Sequence, residues 1–125
     1  MALPREDQRR APRYPARLDA IAGVDGQVVC ECTILDVNRY GARVEVGATA
    51  PPDVFYLIDV GSGIAHKARV AWRAAPMIGA RFLETWVLDD PVSPEWLGDI
   101  RRAKLRATRV QRAGALGSLQ RLDAG

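Results

Sequence analysis

Hydrophobic and polar positions alternate with a period of two through most of the middle of this chain, and that alternation predicts strands. The clearest run has Val28, Cys30, Cys32 and Ile34 on one side and Gln27, Val29, Glu31 and Thr33 on the other, so one face is apolar and the other mostly wet. Before it, Arg17 to Val24 reads as a first strand ending in Asp25-Gly26, a dipeptide that commonly joins hairpin strands. After it, Val44 and Val46 alternate with Arg43 and Glu45 and give a third strand, antiparallel to the second. Gly47 to Asp53, with Pro51 and Pro52, is a loop. The run Val54 to Val60 is apolar on both faces, which predicts a strand covered on both sides without assigning its inward face. Gly61-Ser62-Gly63 then turns the chain into a fifth strand, with Ala68, Val70 and Trp72 expected on one face and Lys67, Arg69 and Ala71 on the other. A further turn at Ala74 to Met77 leads to a sixth, whose inward set is Ile78, Ala80 and Phe82.

The period changes after Asp89-Asp90-Pro91-Val92. Ser93-Pro94-Glu95 has the form of a helix start, with a serine cap, proline at the first helical position and an acid in the first turn. The helix is expected to run to Arg112. Trp96, Ile100, Ala103, Ala107 and Val110 form its apolar stripe, expected to pack on the strands, while Arg102, Arg106 and Arg109 occupy other faces. The layout is therefore an arginine-rich arm over residues 1–14, strands over 15–90, a helix over 93–112 and a glycine-rich tail over 113–125. Six short antiparallel strands with turns every ten or so residues predict an all-β barrel or sandwich.

Composition narrows the function classes. A chain of 125 residues is enough for one core, and 48% hydrophobic with 26% charged residues is a soluble globular balance. The formal net charge is +3, with arginines gathered in the N-terminal arm and again between Arg101 and Arg112. No apolar run has the length of a signal core or a membrane span, so the expected location is the cytoplasm. Cys30 and Cys32 read as small buried hydrophobes, and with His66 as the single histidine no four-ligand metal set emerges. No nucleophile-and-base set emerges either, so the chain reads as a binding module and not an enzyme, with no cofactor. Nonspecific nucleic-acid binding is disfavoured by the small net charge and by the lack of aromatic residues among the helix arginines.

Two stretches carry candidate chemistry. Gln8-Arg9-Arg10-Ala11-Pro12-Arg13-Tyr14-Pro15 offers guanidinium forks suited to a phosphate or to the O6 and N7 edge of a guanine. Asp36-Val37-Asn38-Arg39-Tyr40-Gly41 joins the second and third strands by a turn that can present a carboxylate and an amide, with Gly41 expected to take a left-handed step. Arg9-x-x-x-Arg13 followed by Asp36-x-Asn38-x-x-Gly41 resembles the paired motifs of the PilZ family, R-x-x-x-R and D/N-x-S-x-x-G. The likeness extends to a tryptophan hairpin, Val70-Ala71-Trp72-Arg73 with Ile78-Gly79-Ala80-Arg81-Phe82, and covers the chain from Arg9 to Leu83. It departs at Asn38, where the family has serine.

The resemblance implies a six-stranded antiparallel split β-barrel with a C-terminal helix, and a bacterial receptor for the second messenger cyclic di-GMP. It implies that Arg9 and Arg13 meet the ligand's phosphates and guanine acceptor edges, and that Asp36 accepts from a guanine N1 and N2 edge. Gly41 lets the backbone pass close and Asn38 stands at the serine position, while Arg10 has no fixed role. An arginine-rich arm broken by proline has too little apolar surface to order itself, so the ligand is expected to fold it against the barrel and change the surface a downstream protein partner reads. A second reading, a PilZ-like adaptor that binds protein and no nucleotide, is favoured by Asn38 and disfavoured by the intact Arg9, Arg13, Asp36 and Gly41.

Overall fold

In a computed structural model that describes residues 14–108, six strands close into an antiparallel barrel. They are β1 (Tyr14–Val24), β2 (Gln27–Val37), β3 (Gly41–Glu45), β4 (Val54–Asp59), β5 (Ile64–Ala74) and β6 (Met77–Val87). Each pairs around the barrel in the order β1-β2-β3-β6-β5-β4, with β4 returning to β1 through Ile21↔Ile58 and Ala22↔Leu57. No sheet edge is left open, which removes the row of unpaired backbone groups that an apolar strand such as β4 would otherwise expose. One helix, α1 (residues 95–108), follows β6. It is not long and apolar enough to cross a membrane, and no other described helix is.

Alternation decides what fills the barrel. Ala20, Ala22, Cys32, Ile34, Ala42, Val44, Phe55, Leu57, Ala68, Ile78 and Ala80 point inward and are buried, with Leu18, Cys30, Val70 and Phe82 packed around them. Burial pushes the Cys32 thiol up to about 12, with smaller contributions from Cys30 and Glu31, so it acts as a small hydrophobe.

The ambiguous fourth strand is resolved by a second apolar layer. Phe55 and Leu57 face the barrel interior, while Tyr56 and Ile58 face outward into a cluster with Ile21, Ala65, Leu97 and Trp96. Tyr56 meets the edge of Trp96 at 5.0 Å and stacks near Trp86 at 6.0 Å. The strand is apolar on both faces because α1 covers its outer one.

Three expectations about local geometry are corrected. The first strand begins at Tyr14, three residues before Arg17. At the helix start, the Ser93 hydroxyl donates to the Asp90 carbonyl at 2.8 Å and so ties down the loop upstream, while the Pro94 carbonyl accepts from the Leu97 N–H. Proline stands just outside the first turn, and the helix begins at 95. The buried face of α1 is also rotated from the stripe predicted. Leu97, Ile100 and Leu105 pack on the barrel, Arg101 bonds the Val60 and Gly61 carbonyls, and Ala103 and Ala107 are exposed. Arginine and lysine stems serve as packing surface on that face, with Lys104 ion-paired to Glu31. Val110 and Arg112 lie outside the described residues.

Candidate functional site

The turn between β2 and β3 is built by its own side chain. Asn38 Oδ1 accepts from the Tyr40 N–H at 2.8 Å and from the Gly41 N–H at 3.1 Å, while the Asn38 N–H donates to the Gly41 carbonyl at 2.9 Å. This closed Asx turn holds the chain rigidly where it reverses. The Arg39 guanidinium lies 4.9 Å from the Tyr40 ring centroid, a cation–π contact on the turn's surface.

Gly41 has a different role from the one predicted. The glycines with positive φ among the described residues are Gly26, Gly47 and Gly63, so Gly41 takes no left-handed step. It is demanded by close approach: a Cβ at position 41 would fall on the Ala80 carbonyl oxygen of the neighbouring β6. The Tyr40 carbonyl accepts from the Phe82 N–H at 2.7 Å and holds the turn down on that strand.

Asp36 enters the site through register. It faces Arg43 across the hairpin, and Arg43 Nε stands 2.9 Å from Asp36 Oδ2. The carboxylate is largely covered, with 15% of the side chain exposed against 47% for Arg43. On its other side β2 meets β1, where Pro15 faces Asp36 and Tyr14 faces Val37. The segment bearing Arg9, Arg10 and Arg13 leads into β1 at this point; those three arginines lie outside the described residues.

The row continues across the barrel surface. Arg43 faces Gly79 of β6, and Gly79 faces Trp72 of β5. The expected grouping of Trp72 with inward Ala68 and Val70 is overturned by a bulge between Val70 and Trp72, which shifts the register by one and turns the tryptophan outward. Its indole lies over Gly79 so closely that any Cβ there would overlap it. Trp72 remains 43% exposed.

The structure thus brings Asp36, Asn38 and Gly41 together at one end of one hairpin and adds Arg43, which the alternation pattern marked only as a wet position. A signal for Arg43 was present, since in a hairpin reversing at 38–41 the residue opposite 36 is 43. A bulge has no comparable signature, so Trp72 was not legible.

A groove of about 450 Å³ lies elsewhere, between the outer face of β1 to β3 and α1, with Asp19, Glu31, Glu45, Thr33 and Lys104 in its walls. Its acidic lining makes it a poor seat for phosphates. Among the described residues no group of three or more His, Cys, Asp or Glu side chains could hold a metal ion.

No family model matches the chain, and no curated protein matches it. Among solved structures, the chain is similar to that of an uncharacterized Legionella protein, with 16% identity over 82% of this chain and 98% of the other and a TM-score of 0.40.

Proposed function

We propose that the chain is a cytoplasmic PilZ-type receptor for cyclic di-GMP, a binding module that conveys the ligand's presence to a protein partner. The observation that carries the reading is the register of β1 on β2. Because Pro15 and Tyr14 face Asp36 and Val37, the arginine segment and the motif turn meet at one end of one strand pair. A ligand bearing two phosphates and two guanines can then touch both. Arg9 and Arg13 supply charge-assisted and bidentate donors, with Arg10 beside them. Asp36 has lone pairs beyond those used by Arg43 and accepts from a guanine N1 and N2 edge. Asn38 commits its carbonyl oxygen to the turn and offers its amide N–H groups, donors where the family's serine offers a hydroxyl. Engagement of the arm by the ligand changes the surface around the turn, and the partner reads that change.

A second reading rests on the same geometry. The Asp36 carboxylate and the Asn38 carbonyl oxygen both already have partners within the hairpin, as in a domain that keeps the fold and binds protein alone. Calorimetric titration of cyclic di-GMP into the protein, with Arg13→Ala and Asn38→Ser alongside, separates the two. Micromolar binding that is lost in Arg13→Ala supports the receptor. Absence of heat in the parent, with binding restored by Asn38→Ser, supports the adaptor.

A further inference from the structure

The outer face of β3, β6 and β5 carries more positive charge than its acids answer. Asp36 pairs with Arg43 and Asp53 with Arg73. Arg69 and Arg81 stand directly opposite each other on β5 and β6, both exposed, and neither has an ion pair among the described residues. Like charges facing across a ladder destabilise it, and a bound anion would relieve that. Two exposed arginines alone would be ordinary solvated charges. What sets this pair apart is Trp72, two residues along the same face and about 7 Å away. Of the three tryptophans, Trp86 and Trp96 pack beneath or within the helix and Tyr56, whereas Trp72 lies flat on Gly79 with its outer ring face toward solvent.

We infer that Trp72, Arg69 and Arg81 form a second contact surface for a purine-bearing phosphodiester, the indole stacking a base and the two guanidinium groups sharing a phosphate. The inference rests on the proposed ligand at the Asp36–Gly41 turn and assigns its second half: one guanine at the turn, the other reaching across β6 to β5. The span fits, because two strand spacings, about 10 Å, separate Asp36 from Gly79 beneath the indole. The way is also clear. Gly41 faces Arg81 directly, so no side chain stands between the turn and that guanidinium.

The test is a titration with cyclic di-GMP, followed by calorimetry and by tryptophan emission, on the parent and on Arg13→Ala, Arg69→Ala, Arg81→Ala and Trp72→Phe. Arg69→Ala and Arg81→Ala should each weaken binding about tenfold without lowering the melting temperature. The ligand should quench emission in the parent and leave that of Trp72→Phe unchanged, with affinity reduced about fivefold. Loss of binding in Arg13→Ala, with the three face variants within twofold of the parent and quenching intact in Trp72→Phe, would overturn this inference and leave the receptor standing. Loss in the face variants with Arg13→Ala unaffected would support the surface and remove the arm from the site. No binding by the parent at low salt would overturn both.

Discussion

At the residue scale, two side chains act through what they exclude. Gly41 sits against the Ala80 carbonyl, so Gly41→Ala must push β3 away from β6 or distort the turn. Chemical denaturation should show a loss of about 1–3 kcal/mol, the usual range for overpacking a closed site. His66 is the buried polar residue of the described core, 9% exposed, with its ring stacked 3.6 Å from that of Phe82 and Nδ1 at 2.8 Å from Thr85 Oγ1. Burial lowers its pKa to about 4, opposed in part by Asp59. The unfolded chain takes up this proton near 6.5 and the folded one only near 4, so the unfolded state binds more protons between those values. The stability His66 confers is complete above pH 6.5 and is lost as pH falls toward 4, by on the order of 3 kcal/mol. Urea midpoints of parent and His66→Phe across that window check it: the parent's midpoint should fall with pH more steeply than the variant's.

At the scale of elements, α1 is the lid that lets β4 be apolar on both faces. Leu97 is fully buried among Ile21, Ile58 and Ala65, and Arg101 holds the turn after β4 by two carbonyls. Leu97→Ala should therefore cost about 2–5 kcal/mol, the range for a truncated core leucine, in a denaturation that stays a single transition. If the helix instead melted separately at lower denaturant, α1 would be an appendage and not part of the core. Strand positions were legible wherever alternation was strict, as along β2 and β6. The helix stripe was misread because alanines at 103 and 107 scored as apolar while the stems of Arg101 and Lys104 did not. Trp72 was misread because a bulge resets a period of two without changing a single residue type.

At the scale of the whole molecule, barrel closure gathers the candidate site from four strands. Asp36 and Asn38 are close in sequence, yet their surroundings come from β1, β3 and β6. Recognition of an anion by this arginine face predicts an affinity for cyclic di-GMP that falls as salt rises, read by calorimetry at low and at physiological ionic strength. A flat salt dependence would mean the arginines are bystanders. The sequence by itself determined the number of strands, the hairpin turns, the inward sets of most strands and the Asp36-x-Asn38-x-x-Gly41 turn, because period, turn chemistry and short-range hydrogen bonding are local properties. Only the tertiary structure decided which face of β4 looks inward, that Trp72 points to solvent, that Arg43 takes Asp36, and that Gly41 is needed for contact with Ala80. Each depends on which strand lies alongside and in what register, and a register is set jointly by two distant segments.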